Sequence, residues 1–169
     1  KLRDQGVNVI PVHPKSKRPT VEWTEYQNEK YTDEIPEGYN YAVIGGAISN
    51  NLVIIDIDHV DDESILNKII PDALNKTLVV RTGGGGYHIY LFLKNGGLKS
   101  FKFDADGVHY DIQCEGKIAI APGSIHETGN EYKIISSTDF INPISNDDLR
   151  LSLGNIHDSK TISLEDGLK

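Results

Sequence analysis

The sequence predicts an α+β fold built on mixed or antiparallel sheets, and three observations predict it. Strand-like runs at 77–81 and 87–93 are separated only by Thr82-Gly83-Gly84-Gly85-Gly86, which reads as a hairpin. A second pair of runs, 108–113 and 117–121, is broken at the turn-forming Glu115-Gly116 and reads the same way. Helical signals are few: Ile65, Leu66, Ile69 and Ile70 recur at helical offsets over 61–74 behind Asp61, Asp62 and Glu63, acids that favour a helix N-terminus, and Thr32-Asp33-Glu34 offers a cap for a short helix before Pro36. A chain of 169 residues fits one domain, expected over 1–145, followed by a linker or tail over 146–169, where polar residues break a weak apolar period.

In chain order, Gly6 to Val12 alternates around Val7 and Val9 and reads as an early strand. Pro14 to Pro19 is a loop carrying Lys15, Lys17 and Arg18, cations that suit either phosphate binding or a solvated surface. Trp23, the one tryptophan, is expected to anchor packing. Tyr41 to Ile44 reads as a strand closing on Gly45-Gly46, and the short connection to Leu52 predicts that the next strand is its neighbour.

That next strand is Leu52-Val53-Ile54-Ile55-Asp56-Ile57-Asp58. A continuous aliphatic run is what a strand covered on both faces looks like. Because side chains alternate, Asp56 and Asp58 share a face, with Cα atoms about 6.5–7 Å apart. Two acids at one spot repel unless a proton or cation lies between them, and oxygen-only donors favour Mg²⁺ or Mn²⁺. The alternative is a pair of solvated acids at a strand end.

The four glycines at 83–86 are followed by a strand rather than a helix and lack Gly-Lys-Ser/Thr, so they are not a dinucleotide or Walker fingerprint. They either form a plain hairpin turn or allow close approach of a backbone or nucleotide. Asp111 sits in a strand-like run where Asp is disfavoured, and so calls for solvent or a function. Residues 122–129 form a loop, and 131–135 a last strand.

Composition excludes several classes. With 38% hydrophobic and 25% charged residues and no long apolar run, nothing here predicts a membrane span. The single Cys114 rules out an internal disulfide or a cysteine zinc cluster and fits a reducing cytoplasm. The first residue is Lys1 rather than Met, and no signal peptide follows, which is the pattern expected of a domain taken from a longer chain. A net charge of −8 argues against non-specific nucleic-acid binding but says little about one face.

Taken in order, these motifs resemble the archaeo-eukaryotic primase superfamily, and within it the bifunctional primase–polymerase domains of plasmids and viruses. Val53-Ile54-Ile55-Asp56-Ile57-Asp58 matches the family's hydrophobic strand ending in two acids. Gly86-Tyr87-His88-Ile89-Tyr90-Leu91 is similar to its small residue–x–His motif, and Tyr110-Asp111 to its third, a hydrophobic residue before an acid. Flanking likeness runs from Gly6, Pro11, Lys17, Pro19 and Trp23 to Pro122, Ser124, His126, Gly129 and Tyr132, so that the resemblance covers about 1–141. One departure is Gly86, where many relatives carry Ser; another is that Ser124-Ile125-His126 also fits the second motif.

The resemblance implies a core like an RNA-recognition motif with an added small α/β module. It implies template-directed nucleotidyl transfer in primer synthesis and extension, with single-stranded DNA template, primer and dNTP or NTP as substrates. Asp56, Asp58 and Asp111 would hold two divalent ions, Mg²⁺ or Mn²⁺, about 3.5–4 Å apart. His88 would hydrogen bond the triphosphate, Lys17, Arg81 and Lys117 are candidate phosphate contacts, and His126 competes with His88 for its role. A helicase or helical C-terminal domain is the partner expected in the full-length chain.

Two other readings compete. Ile54 to Val60 also fits the strand–Asp-x-Asp pattern of haloacid-dehalogenase-type phosphatases, in which the first Asp is a nucleophile and the sheet is parallel. A replication-associated DNA-binding module with a vestigial acidic cluster is the non-enzymatic alternative.

Overall fold

The computed structural model describes residues 1–157, and two sheets and a helical layer make up its core. Three strands, β1 (Val9–Val12), β2 (Asn40–Ile44) and β8 (Ile118–Ile120), form a small antiparallel sheet with β2 in the middle. The larger sheet orders β6 (Phe101–Ala105), β7 (Val108–Gln113), β3 (Leu52–Ile57), β5 (Tyr87–Leu93), β4 (Val79–Arg81) and β9 (Lys133–Ile134). β10 (Asn142–Ile144) runs parallel to the end of β5, and every other pairing between these strands is antiparallel. The sheets are therefore mixed and antiparallel with few helices, an α+β arrangement. The parallel sheet that a haloacid-dehalogenase-type phosphatase needs is not what surrounds β3.

β3 is central because both its faces are covered. Val53, Ile55 and Ile57 point to one side, with Tyr87, Ile89 and Leu91 of β5, and pack under the helical segments. Leu52 and Ile54 point to the other, with Tyr90 and Val80, and meet Ile10, Val43, Ala119 and Ile120 of the small sheet. Fully burying each such aliphatic side chain contributes about 1.5–3 kcal/mol. Trp23 is partly buried against this second core.

Four expectations are corrected. The helix over 61–74 is instead a 3₁₀ segment, Glu63–Lys68, with Asp62 accepting from the Ser64 N–H, and a four-residue helix α1 (Ala73–Lys76). Pro71 between them has no N–H to give and biases Ile70 away from helix. Runs 108–113 and 117–121 are not a hairpin: β7 spends one edge on β3 and the other on β6, so β8 crosses to β2. β2 and β3, close in sequence, lie in different sheets. Over 146–157 the expected linker or tail is a helix, α2 (Asn146–His157), started by the Asp148 N–H donating to Ser145 Oγ. Its Leu149, Leu153 and Ile156 are buried in the core beneath the large sheet. The rest of that expected tail, 158–169, lies outside the described residues. Among the described residues no helix is long and apolar enough to cross a membrane.

Candidate active site

The strand register builds the site. Asp56 on β3 is the direct partner of His88 on β5 and of Asp111 on β7, so all three side chains stand on one face in one row across the sheet. Asp58, two residues on, shares that face just past the strand end, where its N–H donates to the His109 carbonyl. On β3 and β5 this is the same face that buries Leu52, Ile54 and Tyr90 against the small sheet. The polar row begins where that apolar packing ends.

His88 Nε2 lies 3.4 Å from Asp56 Oδ1, and both side chains are largely buried. His88 Nδ1 is buried with no hydrogen-bond partner among the described residues, an atom that a bound group could satisfy. Burial pushes the Asp56 carboxyl up. The facing His88, by charge and hydrogen bond, aided by Asp58 and the Lys17 ammonium, outweighs that and holds it below its ordinary value. Asp58 is pushed the other way by burial and the charge and hydrogen bond of Asp56, against the opposing pull of His109 and His59. Two acids that compete for one proton offer what a divalent ion replaces.

An all-oxygen set of Asp56, Asp58 and Asp111 fits Mg²⁺ or Mn²⁺. Asp111 Oδ2 is engaged by Gln113 Nε2 at 3.2 Å, and among the described residues no three His, Cys, Asp or Glu side chains form a ready-made cage. The donors are gathered on one face rather than closed around a point.

A cleft of about 210 Å³ opens beside this row, between the two sheets. Asp56, Asp58 and His88 line it, as do Lys17 from the loop after β1 and His126 from the loop after β8. Tyr132 closes one side, its ring centroid 6.3 Å from that of His88 and 6.0 Å from that of His126. Two wider grooves, of about 750 and 1060 Å³, are not lined by Asp56, Asp58, Asp111 or His88; the residues of the row, not size, select this cleft.

The glycines at 83–86 serve close approach. A Cβ on Gly86 would lie 2.2 Å from the Ile57 carbonyl oxygen, and one on Gly83 would lie 2.2 Å from the Cβ of His126. The turn is thus wedged between the end of β3 and the His126 loop. The Gly86 N–H donates to Thr82 Oγ1.

Lys17 and His126 thus reach the cleft with His88, Asp56 and Asp58, while Asp111 stands beside it in the same row. Arg81 does not join them: it pairs with Tyr87, on the opposite face, stacks on that ring, and is tied to the Val60 carbonyl and Asp61. Lys117 is exposed at the turn before β8 and does not line the cleft. Ser124 is buried and hydrogen bonds the Tyr41 backbone, which makes it a structural residue.

Gln113 and Tyr132 were not anticipated as site residues. For Gln113 the signal was available, since i and i+2 on a strand share a face and Gln113 follows Asp111 by two. Tyr132 reaches the cleft through a loop whose course no periodicity encodes.

A family model described as bifunctional DNA primase/polymerase, N-terminal, matches residues 1–147. No curated protein matches the chain.

Proposed function

Because the chain belongs to the bifunctional DNA primase/polymerase N-terminal domain family, we propose that it transfers nucleotides from triphosphates to a primer 3′ end on a DNA template, using divalent ions held at Asp56, Asp58 and Asp111. The observation that carries this reading is the single row of Asp111, Asp56 and His88 across β7, β3 and β5, with Asp58 on the same face. Within it, the large sheet is the RNA-recognition-motif-like catalytic core and the small sheet belongs to the added module.

When bound, Mg²⁺ or Mn²⁺ supplies a lowered pKa for the 3′-hydroxyl and neutralises charge on the departing pyrophosphate. The residues supply position. Asp56, Asp58 and Asp111 present hard oxygen donors, and Gln113 orients Asp111 through its carboxamide. His88 donates to the triphosphate from a nitrogen that otherwise lacks a partner, Lys17 adds a cation at the cleft mouth, and Tyr132 walls the nucleotide from solvent. The 3′-hydroxyl gives up its proton to solvent, its oxygen bonds the α-phosphorus as the bridging bond to the β-phosphate breaks, and pyrophosphate leaves with that electron pair. The cleft, about 210 Å³, is below the range of about 300–1,000 Å³ usual for whole ligands, so it holds only part of a nucleoside triphosphate.

Primer extension on a primed single-stranded template, comparing dNTPs with NTPs under Mg²⁺ and Mn²⁺, tests this reading. Incorporation dictated by the template and lost with EDTA supports it; a phosphatase activity without incorporation contradicts it.

A further inference from the structure

We propose that the open face of the β6–β7 hairpin is the seat of the primer strand, with Lys102 holding a backbone phosphate near its 3′ end. The inference rests on the nucleotidyl-transfer reading above and adds to it a direction across the sheet. On β3, β4 and β5 the site face is apolar outside the site and is roofed by the small sheet. On β6 and β7 the same face carries Lys102, Asp104, His109, Asp111 and Gln113, every one polar, and no residue of either strand joins the core between the sheets. Gln113 reaches the cleft and its Oε1 is buried, but around Lys102, Asp104 and His109 this face is left open, directly beside Asp111.

The row across the sheet runs Lys102, Asp111, Asp56, His88. In phosphoryl transfer the attacking and leaving oxygens lie on opposite sides of the phosphorus, roughly in line. Gln113 of β7 bounds one edge of the cleft, but His88 and His126, which packs on the β4–β5 turn at Gly83, line it on the β5 side of Asp56, so the leaving pyrophosphate is assigned to that side. The attacking 3′-hydroxyl then arrives from the β7–β6 side. Two strand spacings place Lys102 about 10 Å from Asp56, the reach of the nucleotide behind the attacking hydroxyl. Lys102 is exposed and, although Asp111 stands directly opposite it on β7, makes no ion pair among the described residues, while the Asp104 carboxylate two residues along is taken by His109 Nδ1 at 2.7 Å. The cation is therefore available to a phosphate beside Asp111.

The test measures equilibrium binding of a fluorescein-labelled primed DNA and of the unprimed single strand by anisotropy, in EDTA and across salt, for the unmodified chain, Lys102→Ala, Lys102→Arg and Lys17→Ala. Steady-state incorporation gives the separate KM values for primed DNA and dNTP. Lys102→Ala is expected to weaken primed DNA about 5- to 10-fold and lower the salt slope by about 1, with dNTP KM unchanged. Lys102→Arg restores binding, and Lys17→Ala shows the converse pattern, raising dNTP KM alone. Unchanged primed-DNA affinity, an equal loss on unprimed strand, or a rise in dNTP KM for Lys102→Ala overturns the proposal. If the unmodified chain incorporates nothing, the catalytic reading fails, while the anisotropy comparison still decides the primer contact.

Discussion

Asp56 and His88 face each other across β3 and β5, with His88 Nε2 3.4 Å from Asp56 Oδ1 and both side chains withdrawn from solvent. This pair joins the acidic row to the cleft. His88→Ala is expected to raise nucleotide KM 10-fold or more, because it removes the donor from a buried position where water does not replace it. His126→Ala removes a more exposed ring, held by Thr128, and is expected to cost less. Steady-state kinetics of both variants checks this; equal losses would give His126 the role assigned to His88.

The acidic pair links metal and proton. Asp58 titrates above its ordinary 3.8 in the folded chain, through burial and the charge of Asp56. Its contribution to stability is therefore present below the unfolded pKa and lost as pH rises through the folded one. At neutral pH, without metal, ionised Asp58 opposes folding. Asp58→Asn should leave the metal-free melting temperature at pH 7 unchanged or raised, and abolish the rise that Mn²⁺ gives the unmodified chain. Thermal melts with EDTA and with Mn²⁺ read both effects; a lower metal-free melting temperature for Asp58→Asn would contradict the account.

At Gly86 a serine is expected to be harmful. A Cβ there would meet the Ile57 carbonyl oxygen at 2.2 Å, and the end of β3 that carries Asp58 must shift to admit it. Gly86→Ser should destabilise the chain by about 1–3 kcal/mol, the usual cost of overpacking, and reduce metal affinity as well. Denaturant unfolding together with Mn²⁺ titration measures both.

Much of the site was legible because β-sheet geometry converts sequence spacing into a shared face. Asp56 and Asp58 fall two apart on a strand that announces itself by four aliphatics, and Asp111 is an acid misplaced in a strand. The pairing of β3 with both β5 and β7 was not legible: nothing local to 108–113 says that its partner is 54–57 rather than the nearer 118–120, since long-range pairing is decided by the packed whole. Arg81 was misread for a related reason. Its strand was recognised, but the face depends on register, and a shift of one residue reverses it. The segment 146–157 was misread as a tail although Ser145, Asp147 and Asp148 form a helix start ahead of Leu149, Leu153 and Ile156 at helical spacing.

That last misreading makes a test of the fold. Leu153 is fully buried on α2, within the core beneath the large sheet. Leu153→Ala is expected to cost about 2–5 kcal/mol, as for other buried leucines, whereas the exposed Leu151→Ala should change stability by less than about 0.5 kcal/mol. Equilibrium denaturation of the two variants distinguishes a packed helix from a linker.

The central claim is that the Asp56 row catalyses templated, metal-dependent nucleotide addition. Single-nucleotide incorporation tests it most directly, with a primed template presenting each of the four bases in turn, one nucleotide offered at a time, and Mg²⁺ or Mn²⁺ supplied or chelated. The account predicts addition of the complementary nucleotide only, none with EDTA, and a loss of about 1,000-fold or more in Asp56→Ala, Asp58→Ala and Asp111→Ala while each remains folded. Incorporation that persists in those folded variants, or that is indifferent to the metal, would contradict it.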